Sequence, residues 1–370
     1  MKFVIDRGDF LKTLQRVQGI VEKRNTMPIL SNVLLEAADG RINILSTDLE
    51  VFIKDSTGAN VSDKGSVTVN ARKLFEIVKE MPDEEIKVTG AKDSKVRVEG
   101  KKAKFNIMGL PSKDFPVFPA FDETGLQGVE NRVLRDMINK TSFAVSTDET
   151  RYNINGFLLE KEKSRIKMVA TDGHRLALIE KKDNIGLAAG ELKGVLLPRK
   201  GMMEIKKLLE ENSEEASFLL GITEKNAVMK KDSTLINVRL LEGEFPDYKK
   251  VIPRENDKEV VVDRASLLSS LKRVSILSSD KIKGVKFNFS PSRLVLTSSS
   301  PDIGDATEEL DIEYKGEEVE IAFNARYMID MLEAVEEEKV TILLKDSLSP
   351  GVLSPLGSKE YTYVIMPMRL

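Results

Sequence analysis

Two helical patterns recur three times along the chain, and this repetition restricts the possible folds more than any other feature of the sequence. The segment IDRGDFLKTLQRV (5–17) returns as VDRASLLSSLKRV (262–274), and a weaker copy, NRVLRDMINK, lies between them at 131–140. In each copy apolar residues stand at positions i, i+1 and i+4, which form one face of a short helix. Repetition of this kind indicates a duplicated structural unit.

The second pattern combines a short apolar strand with a helix. It occurs as VTVNARKLFEIVKEM (67–81), VLLPRKGMMEIKKLL (195–209) and IAFNARYMIDMLEAV (321–335). Asn70 and Asn324 are good helix N-caps, and Pro198 suits the start of a helix. The 370 residues therefore predict three units of about 125 residues, each with two helices.

Alternating apolar and polar residues predict strands between these helices. Four segments are typical of two strands joined by a polar, Gly or Pro turn: NVLLEAADGRINILSTD (32–48), KVRVEGKKAKFNIMG (95–109), FLLEKEKSRIKMVATD (157–172) and GVKFNFSPSRLVLTSSS (284–300). Such hairpins build antiparallel sheets. The sequence thus predicts an α+β fold of three similar domains, each with two helices and antiparallel sheets.

Two similar proline-rich stretches, 106–119 and 237–253, are the expected connectors between the units. They predict domains at residues 1–126, 127–253 and 254–370. Two helices cover only one face of a sheet, and the edges of the sheet then need partners. Three separate domains in a row are one possibility. Domains joined edge to edge into a closed ring are the other, and a ring would remove the free edges.

Composition excludes several classes of function. Without cysteine the chain has no disulfide, Cys-ligated zinc, iron–sulfur cluster or Cys nucleophile, and its single histidine excludes a site with several His ligands. No cofactor or metal is therefore expected. No apolar run approaches the roughly 20 residues that span a bilayer. The charged N-terminal segment is not that of a signal peptide, so we expect a cytoplasmic protein that does not enter a membrane.

An enzymatic interpretation centres on His174, which lies in VATDGHRLALIE (169–180) two residues after Asp172. An aspartate can orient a histidine that acts as a general base. The chain has no nucleophile elbow, phosphate loop or metal-ligand cluster to complete such a site. An enzyme is one candidate function, and a repeat scaffold that binds only proteins is a second.

The net charge of −3 does not by itself indicate nucleic acid, although a ring can be basic inside and acidic outside. The candidates for DNA contact are basic residues on the helices: Lys12, Arg16, Arg72, Lys73, Arg199, Lys200 and Lys272. Acidic residues are interspersed, so a solvated helix face of mixed charge explains the same pattern. Without a groove-reading motif, any DNA would be held through its backbone and without sequence reading.

Helix dimensions test the ring. Six helices around a hole leave no room for duplex DNA, whereas twelve helices from two chains leave a clear hole of about 26 Å. A ring around DNA therefore requires a head-to-tail dimer that joins a free edge of the first domain to one of the third. The candidate contact residues lie in the basic segment 101–107, in 275–284 and in the acidic segment 301–311: Lys102, Lys104, Phe105, Ile107, Ile276, Leu277 and Glu308.

Five motifs in order along the whole chain carry a family resemblance. They are the N-terminal MKF with its amphipathic helix, RYNING (151–156), TDGHRLA (171–177), FPDYKKVIP (245–253) and VIMPMRL (364–370). Together they resemble the bacterial DNA polymerase III beta subunit, the sliding clamp family.

This resemblance implies a DNA-clamp architecture in which each chain forms half of a closed ring. It implies a non-catalytic homodimer that encircles duplex DNA and confers processivity on the replicative polymerase. The implied partners are the alpha-type subunit of DNA polymerase III, the clamp loader, and repair and translesion polymerases, which bind through short linear peptides. The implied peptide-docking pocket consists of Ile154, Thr171, Gly173, His174, Arg175, Leu176, Pro246, Lys250, Val251, Val364, Met366, Pro367, Met368, Arg369 and Leu370.

The resemblance also places Arg24 at a DNA-facing position. Lys250 replaces an arginine that is common in the family, and Ile154 replaces a leucine, so charge and apolar character are kept. Asn153 stands where some members have a second tyrosine. Apolar residues that include methionine suit a pocket that accepts varied peptides, since methionine side chains adapt to different partners.

Overall fold

The computed structural model describes residues 1–21, 27–82, 84–91, 94–121, 125–182, 192–211, 217–278 and 283–369. These residues form two compact units. Unit 1 comprises the described residues of 1–132 and 200–240, and unit 2 those of 133–182, 192–199 and 241–369. Within these ranges, every helix is too short or too polar to cross a membrane.

Both predicted helical patterns form a helix at all three of their positions. The helices are α1 (Arg7–Val17), α2 (Ala71–Glu80), α3 (Asn131–Thr141), α4 (Arg199–Glu210), α5 (Arg264–Val274) and α6 (Ala325–Ala334). The predicted caps are confirmed, because the side chain of Asn70 accepts the N–H of Lys73 at 3.0 Å and that of Asn324 accepts the N–H of Arg326 at 2.9 Å. Helix α4 begins directly after Pro198, as expected.

The strands of the described residues are β1 (Lys2–Asp6), β2 (Asn32–Ala38), β3 (Arg41–Thr47), β4 (Val51–Gly58), β5 (Asn60–Asp63), β6 (Gly65–Asn70), β7 (Glu85–Gly90), β8 (Lys95–Glu99), β9 (Lys104–Met108), β10 (Gln127–Glu130), β11 (Gly156–Glu162), β12 (Arg165–Thr171), β13 (Arg175–Lys182), β14 (Leu192–Pro198), β15 (Ser217–Ile222), β16 (Asn226–Lys231), β17 (Thr234–Arg239), β18 (Lys258–Asp263), β19 (Gly284–Ser290), β20 (Arg293–Ser300), β21 (Gly304–Asp311), β22 (Val319–Asn324), β23 (Lys339–Leu344), β24 (Gly351–Pro355) and β25 (Tyr361–Ile365). All four predicted hairpins are confirmed, as β2/β3, β8/β9, β11/β12 and β19/β20.

Unit 1 contains two antiparallel sheets. One has the strand order β5-β1-β7-β8-β9, and the other has the order β10-β15-β16-β17-β4-β3-β2-β6. The larger sheet unites strands from two of the sequence repeats, since β17 pairs with β4 over residues 235–238. Helix α1 packs against α2 and β4. Its apolar face is buried at Phe10 and Leu14, and that of α2 at Leu74 and Val78.

Unit 2 also contains two sheets, with the strand orders β14-β11-β12-β13-β25-β24-β23-β18 and β21-β20-β19-β22. Strand β25 lies between β13 and β24, and its residue Val364 is opposite Leu176 of β13. Helix α5 packs against α6. The rings of Phe287, Phe289 and Phe323 fill the core of the smaller sheet. The expected domain boundaries at 126 and 253 stay a prediction.

Candidate peptide-docking site and charged surfaces

A cavity of about 200 Å³ opens in unit 2 where the hairpin turn between β12 and β13, the connector after residue 244 and strand β25 meet. Most of the implied pocket residues line it: Ile154, Thr171, Gly173, Arg175, Leu176, Pro246, Val251, Val364 and Met366. Its wall is mainly apolar, which suits hydrophobic side chains of an extended peptide.

The turn that begins at Thr171 is built by its own side chains. The carboxylate oxygen Oδ1 of Asp172 accepts the N–H groups of His174 at 2.9 Å and Arg175 at 3.1 Å. The Thr171 hydroxyl accepts the N–H of Gly173 at 3.1 Å and donates to the carbonyl of Arg175 at 2.6 Å. Gly173 has a φ of +91°, the left-handed region that favours glycine. Asp172 therefore shapes the turn.

His174 is exposed, and its ring stacks on Tyr327 with the ring centres 6.4 Å apart. Its carbonyl accepts the N–H of Met366 at 3.0 Å, which ties the residues after β25 to the turn. The carboxylate of Asp172 contacts the backbone of His174 and the guanidinium of Arg175, so it does not orient the imidazole as a general base. Within the described ranges, no three His, Cys, Asp or Glu side chains are grouped to hold a metal ion.

Arg175 lines the cavity, but its guanidinium is occupied by contacts within unit 2. Its side chain is only 9% exposed, and its Nε and Nη1 atoms bind Asp172 at 3.0 Å and Asp330 at 2.7 Å. The guanidinium also donates to the carbonyl of Phe143 and lies 4.2 Å from the centre of the Tyr327 ring. The charged group of Arg175 is therefore already bound to groups of unit 2, and its role in the cavity wall is structural.

The floor of the cavity is a buried apolar cluster. Leu176 and Val364 lie side by side on β13 and β25 and pack with Leu158 and Val169. The connector packs on this cluster through Tyr248. The rigid sheet below therefore fixes the floor, while the connector and the turn form the walls.

Three residues of the cavity wall were not predicted: Arg151, Phe245 and Tyr248. All three lie inside the motifs RYNING and FPDYKKVIP, so the signal was present in the sequence. Arg151 donates to the carbonyl of Asp172 at 3.1 Å. The hydroxyl of Tyr248 donates to Glu160 at 2.8 Å, and burial together with this hydrogen bond raises the pKa of Tyr248 well above its ordinary value.

The remaining implied residues that the structure describes lie outside the cavity wall: His174, Lys250, Pro367, Met368 and Arg369. Lys250 has an 82% exposed side chain, pairs with Asp247 at 3.1 Å and lines a neighbouring open groove that shares Val251 with the cavity. The N–H of Met368 donates to the carbonyl of Ala322 at 2.8 Å. Leu370 lies outside the described residues.

The predicted DNA-contacting residues differ in exposure. Lys12, Arg72, Lys73, Arg199 and Lys272 are exposed. Arg72 and Lys73 both pair with Glu76, and Lys272 pairs with Glu333 at 2.6 Å. Lys200 is half-buried and pairs with Asp48. Arg24 lies outside the described residues.

Arg16 is placed differently from its expected position on a free helix face. Its side chain is 11% exposed and pairs with Asp55 at 3.1 Å and Glu211 at 2.6 Å. Burial alone lowers the pKa of Arg16, but the two acidic partners outweigh burial and raise it. Asp55 also accepts the hydroxyl of Ser233 at 2.7 Å. Arg16 is thus held inside unit 1 by a buried network and is not free to follow a DNA backbone.

The candidate interface residues of unit 1 lie on or beside β9, an edge strand. Lys102 and Lys104 are exposed, Phe105 is 39% exposed and Ile107 is half-buried. Lys104 also pairs with Glu99 at 3.0 Å.

The candidates of unit 2 lie on β21, also an edge strand, and on the short turn after α5. Ile276 is 73% exposed and Leu277 is half-buried. Glu308 is bound by Arg273 and by the hydroxyl of Ser270, so its charge is partly compensated.

Comparison with known proteins assigns the family. Family profiles of the DNA polymerase III beta subunit match residues 1–119 with the N-terminal domain, 128–247 with the central domain and 249–369 with the C-terminal domain. The chain belongs to the DNA polymerase III beta subunit family. Its three repeats are the three domains of that family, so the predicted family and α+β fold class are confirmed. Members of this family are processivity factors and not catalysts.

Relatives and solved structures cover the chain from end to end. Proteins named beta sliding clamp from Pseudomonas putida and Pseudomonas aeruginosa are 35% and 36% identical to it, with 100% of each chain covered. The crystal structure of the Pseudomonas aeruginosa sliding clamp bound to griselimycin has a TM-score of 0.92 at 35% identity. That of the Bartonella birtlesii sliding clamp bound to griselimycin has a TM-score of 0.94 at 33% identity, and both comparisons cover 100% of each chain.

Proposed function

We propose that the chain is a sliding clamp, which encircles duplex DNA as a head-to-tail homodimer and tethers the replicative polymerase through the cavity of unit 2. The cavity carries the proposal, because it combines an apolar floor on a rigid sheet with walls formed by a turn and a connector. The other partners are the clamp loader and the repair and translesion polymerases. We place its work in the bacterial cytoplasm, at the nucleoid during replication, with domains at 1–126, 127–253 and 254–370.

Such a clamp holds DNA by topology. A closed ring cannot leave the duplex without opening, so strong contacts are unnecessary, and each phosphate contact adds salt-dependent affinity that would slow sliding. The exposed basic residues Lys12, Arg72, Lys73, Arg199 and Lys272 give a weak attraction that is independent of sequence. The acidic partners of Arg72, Lys73 and Lys272 weaken it further.

The ring closes by strand pairing in our proposal. Strand β9 of one chain pairs with β21 of its partner, which satisfies two sheet edges at once. The basic residues at 101–104 and the acidic residues of β21 favour this head-to-tail arrangement. Exposed apolar side chains at Phe105 and Ile276 are buried in the same contact.

Peptide docking then keeps the polymerase bound to the ring after the two have met. A polymerase bound through a short segment to a ring on DNA is held at a high effective concentration at the primer end. The apolar floor, residues Leu176 and Val364, accepts the hydrophobic side chains of that segment. Relatives bound to griselimycin support a ligand-binding site in this family.

A retention assay tests the topological claim. The labelled protein is loaded by its clamp loader onto a nicked circular plasmid, and the plasmid is then cut once with a restriction enzyme. We expect the protein to co-elute with circular DNA and to be lost from linear DNA, while a linear control with both ends blocked by bound protein retains it. Equal retention on circular DNA and on linear DNA with free ends would refute encirclement.

A binding assay tests the docking claim separately. Isothermal titration with a peptide from the tail of the polymerase subunit is expected to show one site per chain. A charged residue at Leu176, on the floor, should abolish binding, whereas the same change at Ile276, on the expected ring interface, should leave the peptide affinity of the chain unchanged. Equal affinity of the Leu176→Asp variant and the unmodified chain would remove the pocket from the proposal.

A further inference from the structure

We propose that Glu160 is a positioning residue of the docking cavity, which it acts on through the hydroxyl of Tyr248. Glu160 does not line the cavity, but it fixes the connector that forms one wall. This inference rests on the proposed docking function and specifies which contact keeps the site open.

The contact joins two distant parts of unit 2. Tyr248 lies on the connector and lines the cavity, and its hydroxyl donates to Oε2 of Glu160 on β11 at 2.8 Å. Tyr248 begins a short helical turn in which the N–H of Val251 donates to the carbonyl of Tyr248 at 3.0 Å. Val251 also lines the cavity. One hydrogen bond at Tyr248 therefore fixes both residues of the wall.

Unit 1 contains a second copy of the turn that borders the cavity. In that copy the hydroxyl of Thr47 accepts the N–H of Leu49 at 2.9 Å, and Oδ1 of Asp48 accepts the N–H groups of Glu50 and Val51 at 3.0 and 2.7 Å. These three bonds correspond to the backbone N–H bonds that Thr171 and Asp172 accept in the turn beside the cavity. The strand contact is repeated as well, because the N–H of Arg239 donates to the carbonyl of Glu50 at 2.8 Å, as that of Met366 does to His174 at 3.0 Å.

The connector of unit 1 lacks the anchor. Its sequence Phe-Pro-Val-Phe (115–118) corresponds to Phe-Pro-Asp-Tyr (245–248), so Phe118 stands in the place of Tyr248. Glu36 is the fifth residue of β2, as Glu160 is of β11, but Phe118 has no hydroxyl to offer it. The carboxylate is thus present in both copies, and the hydroxyl that binds it is present only in unit 2.

In unit 1 the ring of Phe118, which lacks this hydrogen bond, packs on strand β4. Phe118 contacts Phe52 edge to face, with the ring centres 5.7 Å apart. Phe52 is the second residue of β4, the register position that Leu176 occupies on β13. Without the Glu160 bond we therefore expect the ring at 248 to move toward Leu176 and narrow the cavity.

Griselimycin binding, measured by isothermal titration on the full chain, tests this inference. Tyr248→Phe and Glu160→Ala are each expected to weaken binding about tenfold, the effect of losing one hydrogen bond to a charged group. The double variant should bind griselimycin no more weakly than either single variant, because all three lack the hydrogen bond between residues 248 and 160. Glu160→Gln keeps an acceptor oxygen and should recover most of the affinity.

Tyr314→Phe is the matched control, since it removes a buried tyrosine hydroxyl that donates to the carbonyl of Glu317, away from the cavity. It should bind griselimycin as the unmodified chain does. Binding by Tyr248→Phe within twofold of the unmodified chain would overturn the inference, and so would additive losses in the double variant. If the unmodified chain does not bind griselimycin, the result refutes the docking proposal itself and not the role of Glu160. A crystal structure of Tyr248→Phe decides the positioning role independently: an unmoved ring and connector would refute it.

Discussion

Replacing Gly173 by alanine examines how the turn controls the docking cavity. Gly173 has a φ of +91°, where an L side chain is disfavoured by about 1–2 kcal/mol. A Cβ there would lie 2.9 Å from Nη2 of Arg151. Because that atom ends a flexible side chain, we expect the guanidinium of Arg151 to move and the turn to stay. Arg151 would then lose its hydrogen bond to the carbonyl of Asp172.

The equivalent turn of unit 1 shows that a side chain is tolerated at this position. Leu49 occupies the position equivalent to Gly173 with a φ of +79°, and its turn has the corresponding backbone N–H bonds to Thr47 and Asp48. Gly173→Ala should therefore fold, with a free energy of unfolding lowered by about 1–2 kcal/mol. Displacement of Arg151 from the cavity wall should weaken binding of the polymerase-tail peptide about tenfold, which corresponds to about 1.4 kcal/mol.

Urea unfolding followed by circular dichroism measures the first effect, and isothermal titration with the peptide measures the second. Leu49→Gly is the matched control, because it relieves the same strain in unit 1 and should leave peptide affinity unchanged. Unaltered peptide affinity in Gly173→Ala would show that the turn does not act on the site through Arg151. A loss of affinity in Leu49→Gly would show that the effect is not local.

Three further outcomes are expected. His174→Ala should keep the fold and the dimer but weaken the polymerase-tail peptide about tenfold in isothermal titration, since it removes the ring at the cavity rim; unchanged affinity would exclude His174 from docking. Asp55→Ala leaves Arg16 buried with one acidic partner, Glu211, and should lower the free energy of unfolding by about 3 kcal/mol in urea titration; a loss below about 1 kcal/mol would show that the network is solvent-screened. Ile276→Asp should shift the mass measured by light scattering from dimer to monomer, and a persistent dimer would place the interface elsewhere.

The sequence predicted the helices and hairpins well, because each is determined within a few residues. Asn70 and Asn324 cap helices through their own neighbours, and the period of the apolar residues shows which face is buried. Most of the cavity wall was implied by the family resemblance, and the turn beginning at Thr171 closes on itself through local hydrogen bonds.

Contacts between distant residues could not be predicted in this way. Helix periodicity suggested that Arg16 points to solvent, but Asp55 and Glu211, which lie 39 and 195 residues away, hold it inside unit 1. The bond between Glu160 and Tyr248 spans 88 residues. Nothing in the local pattern at either residue reveals such a partner, and only the folded sheets bring these side chains together.

The position of β25 in its sheet determines when a chain that is being synthesised can form the docking cavity. This strand is the last one described, yet it inserts between β13 and β24 and supplies Val364 and the adjoining Met366 to the cavity. A chain that has been synthesised only as far as β24 contains the turn and the connector. It lacks Val364, one of the two residues that form the floor of the cavity. Prematurely ended products that lack β25 would therefore lack a complete cavity and could not capture a polymerase through it.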